Sequence, residues 1–397
     1  MDNLRQIGVG CADISDKEKE YVNIALNNNR LSYGEFTHKF EKRFAKLHDC
    51  KYAMMCNSGT SALRVAIAAL KETDEWKEDD EVLVPSITFI STSNVLIQQN
   101  LKPVFVDVDP RYYNIDPTKI EEKITEKTKA IMPVHLFGMP CDMEPIMKIA
   151  KKHQLRVVED SCETMLAKYK GKSVGSFGDI GCFSTYVAHL VVTGVGGIST
   201  TNDNDLAIKM KSLMNHGRDS IYLHIDDDKT NDEEKLSMIM ERRFSFVRLG
   251  YSFRATELEG ALGLGQLEIV DKIVQKRREN AAYLTEKLAH LDEHLQLPKI
   301  APDRDHSFMM YPIVVKDPKI KRDELTLYLE KNGVETRYML PLLNQPIYIK
   351  LFGNLEGQYP IAKNINKNGF YIGCHQKLDK EDLDYVIQTF KEFFSKQ

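Results

Sequence analysis

The fold is decided by the stretch Tyr52-Ala-Met-Met-Cys-Asn-Ser-Gly-Thr-Ser-Ala62, a short apolar run, a small polar turn and the start of a helix that continues through Leu70. The same unit recurs, with short runs of β-branched or other apolar residues separated by segments of helix length. These runs cover residues 81–84, 103–107, 130–134 and 156–160. Such alternation predicts βα units around a mostly parallel, buried sheet.

Helical patterns precede and follow these units. Ser15-Asp-Lys-Glu18 has the form of a capping box and opens a helix through Leu26. Further helices are predicted at 36–47, 256–288 and 322–332, strands at 308–315 and 334–337, and an exposed polar insertion at 219–233. We therefore expect an α/β protein with a large domain at 1–270, including an N-terminal helical segment, and a smaller α+β domain at 271–397.

Composition excludes several classes of protein. The 397 residues are 42% hydrophobic and 28% charged, which is ordinary for a globular chain, and the net charge of −4 argues against nucleic acid as a partner. The seven cysteines are dispersed without a CxxC pair, which favours reduced thiols in the cytoplasm. Neither a signal peptide nor an apolar run long enough to span a membrane is apparent, so we expect a cytoplasmic protein without a membrane partner.

Three segments carry candidate chemistry. Asn57–Ala62 joins a strand to a helix, and its glycine and hydroxyl side chains suit an oxyanion, although small polar residues also cap helices. Asp160 ends a predicted strand at the edge where ligands bind in such sheets, and a strand-end cap is the alternative. Phe89 follows another strand, where it could stack on a flat cofactor or belong to the core.

A fourth segment runs from Gly181 to Gly197 and contains His189. A dinucleotide-binding loop is excluded there, because the third glycine of GxGxxG would fall on Ser199 and no helix signal follows. An imidazole at position 189 can transfer protons near neutral pH. The alternative is a structural histidine, and His135 and His216 are expected to have structural or supporting roles.

The ordered series of motifs resembles the fold-type I pyridoxal-phosphate family of nucleotide-sugar aminotransferases and dehydratases, the DegT/DnrJ/StrS-like enzymes. The resemblance extends over most of the chain. Its motifs are Asn57–Leu63, Pro85–Phe89, Pro133–Gly138, Glu159-Asp160, Gly175–Gly181, Asn215–Gly217, Gly250–Arg254, Gly263–Leu267 and Gly333–Arg337. Membership of this family implies a fold-type I architecture with a large cofactor-binding domain.

The resemblance also implies roles for individual residues. Gly59 and Thr60 are expected to hold the cofactor phosphate, Phe89 to stack on the ring, and Asp160 to pair with the pyridine nitrogen. Ser184 falls where the family has a serine in contact with the cofactor. A homodimer with a shared active site is usual in the family.

His189 stands where the family carries the lysine that holds its cofactor covalently. Three other positions depart from the family pattern: Glu163 replaces a glutamine, Val195 a glutamate and Ser252 an asparagine that reaches the partner's phosphate. From their places in the pattern, Glu163 and Ser252 are still expected among the cofactor-binding residues. The dehydratase branch of the family has the histidine and a similar Glu-Asp-x-Cys segment. A form without an iron–sulfur cluster fits better, because residues 183–373 contain no cysteine and a cluster needs about four.

The resemblance implies 3-dehydration of a nucleotide-linked 4-keto-6-deoxyhexose in surface polysaccharide biosynthesis. His189 would be the catalytic acid–base residue, pyridoxal or pyridoxamine 5′-phosphate a non-covalently held cofactor, and glutamate the amine donor; no metal is expected. Three alternatives remain open: a sugar aminotransferase, a non-catalytic protein that binds nucleotide sugars, and a lysine-to-histidine replacement made to trap an intermediate. The nucleotide and the sugar are not specified by any pattern in the sequence.

Overall fold

A computed structural model describes residues 5–219, 233–242 and 244–396. The strands, in chain order, are β1 (Tyr52–Cys56), β2 (Glu81–Pro85), β3 (Lys102–Val106), β4 (Thr128–Ile131), β5 (Arg156–Asp160), β6 (Lys168–Tyr169), β7 (Lys172–Ser173), β8 (Ile180–Ser184), β9 (Gly197–Thr201), β10 (Leu295–Gln296), β11 (Tyr311–Val315), β12 (Thr336–Tyr338) and β13 (Gly369–Ile372).

The α-helices are α1 (Asp16–Asn27), α2 (Glu35–Leu47), α3 (Gly59–Thr73), α4 (Ser91–Ile97), α5 (Met143–His153), α6 (Asn204–Met214), α7 (Glu233–Arg242), α8 (Glu257–Leu288), α9 (Arg322–Lys331), α10 (Pro346–Phe352), α11 (Pro360–Asn368) and α12 (Lys380–Phe394). Ser15 caps α1 in the predicted capping box. The insertion predicted at 219–233 lies almost wholly outside the described residues.

A seven-stranded sheet with the order β1-β9-β8-β5-β4-β2-β3 forms the larger part of the protein. The pairs β2–β3, β2–β4, β4–β5 and β5–β8 are parallel, whereas β9 pairs antiparallel with β1 and β8. The prediction of a mostly parallel sheet is therefore confirmed. Helices α3 and α6 pack on the β1–β9 side of this sheet, and α8 packs against α1 and α2.

A second, antiparallel sheet with the order β10-β11-β13-β12 forms the smaller part, with α9 and α12 beside it. Ile7 of the N-terminal segment forms a bridge to Val334 on this part. Helix α8 continues without interruption past residue 270. The division of the chain into domains at that residue stays a proposal.

Five of the predicted strands have other bounds in the structure, and the largest differences, three residues each, are at the end of β4 and the start of β11. Strand β4 ends at Ile131, and Pro133, which follows it, has no N–H to donate to a ladder. Strand β11 begins at Tyr311, and Phe308, within the predicted strand, has a φ of 48°, a left-handed conformation outside the extended range of regular strands.

Candidate active site

A cavity of about 400 Å³ opens at the carboxyl ends of the parallel strands. It is lined by the start of α3, the turn before α4, the ends of β5 and β8, and residues of the smaller part such as Met309 and Tyr371. Seven of the eight residues expected to form the site line this one cavity. They are Gly59, Thr60, Phe89, Asp160, Glu163, Ser184 and His189.

The start of α3 forms a cradle into which only a glycine fits. A Cβ atom at Gly59 would lie 2.7 Å from the Cβ of Ser184 and 2.9 Å from the Sγ of Cys162. Ser58 caps the helix by accepting a hydrogen bond from the amide of Ser61 at 3.1 Å. The Thr60 hydroxyl hydrogen-bonds to that of Ser91 at 2.7 Å. The free amides and hydroxyls at this helix start suit an anion such as phosphate.

Asp160 lies buried at the floor of the cavity. One carboxylate oxygen accepts a hydrogen bond from the Thr92 hydroxyl at 2.7 Å, and the other accepts one from the Cys162 amide at 3.1 Å. Burial raises the pKa of Asp160, while these two hydrogen bonds oppose the rise. A cationic ring nitrogen at this place would pair with the carboxylate and offset its desolvation.

Phe89 projects into the cavity instead of joining the core. Its side chain is 57% exposed, which is unusual for a phenylalanine between two buried elements. The core alternative for Phe89 is therefore wrong. An exposed ring beside a cavity offers a flat apolar surface for a cofactor ring.

Glu163 contributes a second carboxyl group close to Asp160. It accepts a hydrogen bond from the Phe137 amide at 3.1 Å. Burial raises the pKa of Glu163 to about 7, and the neighbouring charge of Asp160 adds to the effect. The two carboxyl groups thus differ in their surroundings, because Asp160 accepts hydrogen bonds from two donors and Glu163 from one.

His189 faces the cavity in a defined tautomer. Its Nδ1 lies 3.1 Å from the Ser184 carbonyl oxygen, which can only accept, so Nδ1 carries the proton and Nε2 has the lone pair. Burial lowers the pKa of His189 to about 4, so the ring is neutral at physiological pH. Among the described residues that line the cavity there is no lysine.

Other predicted residues lie elsewhere. Ser252 forms a β-bridge with Asn215 and does not line the cavity of its own chain. His135 is fully buried, with Nε2 3.1 Å from a carboxylate oxygen of Glu159 and Nδ1 accepting from the Cys141 amide. His216 lies 3.3 Å from an Nη atom of Arg254. His135 therefore has the structural environment expected for it.

Several lining residues were not predicted from the sequence. Thr92, which donates to Asp160, lies four residues after Thr88, and this spacing of two hydroxyl side chains is the one signal that could have suggested it. Met309 and Tyr371 come from the smaller part, at least 120 residues after His189, and only the tertiary fold brings them to the cavity.

Within the described part of the chain, no cluster of three or more His, Cys, Asp or Glu side chains could hold a metal ion. The helices at 5–219, 233–242 and 244–396 include none that is long and apolar enough to cross a membrane.

Comparison with known proteins decides the family. Residues 12–391 match the model of the DegT/DnrJ/EryC1/StrS aminotransferase family. The chain belongs to this family. The resemblance inferred from the motifs, and the fold-type I architecture that it implied, are therefore confirmed.

Members of the DegT/DnrJ/EryC1/StrS family with named activities are similar over nearly the whole chain. GDP-perosamine synthase of Caulobacter vibrioides is 36% identical, covering 98% of both chains. GDP-4-keto-6-deoxy-D-mannose 3-dehydratase of Yersinia pseudotuberculosis is 32% identical, covering 95% of this chain and 96% of that one. The expected enzyme class, a pyridoxal-phosphate-dependent enzyme of nucleotide sugars, is thus confirmed at the level of the family.

A solved structure of the same kind is also similar. It is a GDP-4-keto-6-deoxymannose-3-dehydratase with a trapped PLP–glutamate geminal diamine, with a TM-score of 0.87 and 28% identity, covering 97% of this chain and all of that one.

Proposed function

We propose that this protein is a 3-dehydratase of a nucleotide-linked 4-keto-6-deoxyhexose that holds its pyridoxal-phosphate cofactor without a covalent bond. The observation that carries the proposal is that the cavity presents a histidine at residue 189 and no lysine among its described lining residues. An imidazole with a free Nε2 faces the cavity, and none of the described lining residues supplies a lysine amine. An imidazole cannot form a Schiff base, but it can accept and return a proton.

The residues present fit a phosphorylated pyridine cofactor. The Gly59 cradle and the Thr60 hydroxyl would hold the phosphate, the exposed Phe89 ring would cover the pyridine ring, and Asp160 would pair with its nitrogen. Glu163 and Ser184 line the same cavity and would contact the remaining polar atoms. When bound as the pyridoxamine form, the group supplies an amine for the sugar ketone and a ring that stores negative charge.

His189 would carry the proton transfers of the reaction. Its Nδ1–H bond to the Ser184 carbonyl fixes the ring, so Nε2 is the atom that accepts a proton from the reacting carbon. The same Nε2–H then protonates the hydroxyl on C3 of the sugar, which leaves as water. One residue can serve as base and acid in turn because the first step leaves it protonated.

The substrate class and the amine donor are inferred from relatives. The named relatives act on GDP-linked sugars, and the similar dehydratase structure contains a PLP–glutamate adduct. We therefore propose a GDP-linked 4-keto-6-deoxyhexose as substrate and glutamate as the donor that regenerates the amine form. The proposed reaction does not require an iron–sulfur cluster.

Product analysis tests this proposal. The holoenzyme is incubated with GDP-4-keto-6-deoxymannose and glutamate, and the sugar is analysed by NMR and mass spectrometry. Loss of the 3-hydroxyl in the wild type, and its retention with His189→Asn, would support dehydration. A product that gains an amino group and keeps the 3-hydroxyl would contradict it.

An aminotransferase is the second candidate, and one observation favours it. The identity to GDP-perosamine synthase is 36%, against 32% to the dehydratase. The amino-sugar outcome of the same experiment would support this candidate. Absence of both products over several sugar nucleotides would favour a protein that binds nucleotide sugars without turnover.

We also propose a cytoplasmic homodimer with a shared site. Large apolar side chains are exposed near the segment that contains Ser252, including Leu249 at 97% and Phe244 at 77%. Exposed apolar surface of this kind is typical of subunit interfaces. Sedimentation should give twice the chain mass, and Leu249→Asp should shift the equilibrium toward monomer.

A further inference from the structure

Residues 7–13, which we call the N-terminal strap, are anchored at one end to the smaller part of the protein. The Ile7 amide donates to the Gly333 carbonyl oxygen at 2.8 Å, and the Ile7 carbonyl oxygen accepts from the Glu335 amide at 2.9 Å. The Val9 amide donates to a carboxylate oxygen of Glu335 at 2.8 Å. The first half of the strap is thus fixed to the segment that leads into β12.

The other end of the strap is held by α8 and by the loop before α12. The Gln266 side-chain amide donates to the Asp13 carbonyl oxygen at 2.8 Å, and Nζ of Lys377 lies 3.2 Å from an Asp13 carboxylate oxygen. The strap also passes close to Gly373, where a Cβ atom would overlap the Gly8 carbonyl oxygen. The middle of the strap is therefore held from both ends.

The middle of the strap lies against the loop that carries His189. A Cβ atom at Gly10 would lie 3.1 Å from the Cα, 3.2 Å from the Cβ and 3.2 Å from the carbonyl oxygen of Ala188. Carbon atoms in contact are normally about 3.5–4.0 Å apart, so both carbon contacts would be too short. Gly10 is not one of the glycines with a positive φ, so its backbone conformation does not require glycine. The close approach to Ala188 is what restricts this position to glycine.

A shift of Ala188 would change the surroundings of the His189 ring. Ala188 and His189 are neighbours in the chain, both line the cavity, and the His189 amide closes a turn by donating to the Tyr186 carbonyl oxygen at 2.9 Å. The ring itself is held by a bond to the sheet, since Nδ1 lies 3.1 Å from the carbonyl oxygen of Ser184 at the end of β8. Movement of the loop relative to β8 would therefore strain or break this bond.

We propose that Gly10 is a positioning residue of the active site. Because it lacks a side chain, the strap packs directly on Ala188 and holds the His189 ring with Nδ1 against its carbonyl acceptor. Nε2, the nitrogen with the lone pair, is thereby kept toward the cavity. The consequence for proton transfer rests on the proposed function of His189, whereas the placement of the ring does not. Since the strap is anchored on the smaller part, that part also contributes to this placement.

The tautomer of His189 in the cofactor-free protein tests this proposal. The histidines are labelled with the NMR-active nitrogen isotope, the resonances of the two ring nitrogens are measured at neutral pH, and His189→Asn assigns them. In the wild type Nδ1 should carry the proton. With Gly10→Ala the population of the Nε2–H form should rise about fivefold, the factor that corresponds to a hydrogen bond of about 1 kcal/mol.

Gly8→Ala is the matched control on the same strap. A Cβ atom at Gly8 would make only ordinary contacts, at 3.4 Å from the Gly10 carbonyl oxygen and 3.5 Å from a Glu335 carboxylate oxygen, so its tautomer ratio should equal that of the wild type. In an Ala188→Gly background, Gly10→Ala should change the ratio less than in the wild type, because the methyl carbon that it would overlap is gone.

A variant outside the strap decides the outcome if Gly10→Ala does not fold. Glu335→Ala removes the acceptor of the Val9 amide and releases one anchor of the strap without altering the loop, so the Nε2–H form should again increase. A wild-type ratio in both Gly10→Ala and Glu335→Ala, or an equal change in Gly8→Ala, would overturn the proposal. Neither cofactor nor substrate is present, so a failed dehydration assay leaves this result intact.

Discussion

Replacement of Gly59 by alanine tests the phosphate cradle. The added methyl carbon would lie 2.7 Å from the Ser184 Cβ and 2.9 Å from the Cys162 Sγ, whereas carbon atoms in contact are normally 3.5–4.0 Å apart. The Ser184 Cβ cannot move away by rotation of its side chain, because it is attached directly to the backbone. The start of α3 must therefore shift relative to β8.

The expected cost follows from this overlap. Overpacking of a well-packed site costs about 1–3 kcal/mol, and about 2–4 °C of Tm is lost per kcal/mol in domains of 150–250 residues. We expect the cofactor-free Gly59→Ala protein to melt roughly 2–12 °C below the wild type. Displacement of the helix start should also weaken cofactor binding, by about tenfold for each 1.4 kcal/mol lost.

Calorimetry of the cofactor-free protein and titration with pyridoxamine phosphate provide the assays. Gly357→Ala is the control, since a Cβ there meets nothing within 4 Å. The double change Gly59→Ala with Ser184→Gly removes the closest contact and should recover part of the lost Tm. If Gly59→Ala has the Tm and the cofactor affinity of Gly357→Ala, the close approach of α3 to β8 is wrong.

Three further substitutions test the surrounding side chains. Thr92→Val removes the hydroxyl donor to Asp160. Because hydrogen bonds to charged groups contribute about 1.5–3 kcal/mol, cofactor affinity measured by spectroscopic titration should fall by about tenfold to 150-fold. An unchanged affinity would contradict this role of Thr92. Burial raises the pKa of Glu163 from 4.5 to about 7, so the wild type loses stability as pH rises through that interval. The Tm of Glu163→Gln should therefore rise relative to that of the wild type over the same interval. A Tm difference between the two proteins that does not change with pH would refute the burial argument. Glu159→Gln places an amide against three backbone N–H donors and His135. The free energy of unfolding, measured with denaturant, should fall by about 3–5 kcal/mol. A loss below about 1 kcal/mol would show that the carboxylate is not needed.

Local patterns in the sequence were sufficient to predict most of the large sheet. The strand at Tyr52–Cys56 and the strand at Arg156–Asp160 have the predicted bounds, because short apolar runs between helix-length segments specify buried strands. The antiparallel pairing of Tyr52–Cys56 with β9 was not predicted. Strand β9 begins at Gly197, directly after Gly196, and no helix begins there, as expected from the failed dinucleotide motif. The start of β11 was missed because the backbone of Phe308 is set by tertiary contacts.

The site was predictable where its residues follow strands and less so elsewhere. Asp160 and Phe89 were found because the carboxyl ends of parallel strands meet at one edge of a sheet. Tyr371 could not be found, since its place in the cavity depends on how the smaller part packs on the larger. The tautomer of His189 likewise depends on the position of the Ser184 carbonyl, which no sequence pattern encodes.

Borohydride reduction of the cofactor-loaded protein followed by peptide mapping tests the central claim most directly. A cofactor held without a covalent bond should leave every lysine unmodified and should be removed by gel filtration after reduction. The His189→Lys variant is the positive control and should carry the reduced cofactor at residue 189. A cofactor-modified lysine in the wild type, for example Lys168, Lys170 or Lys172, would contradict the account.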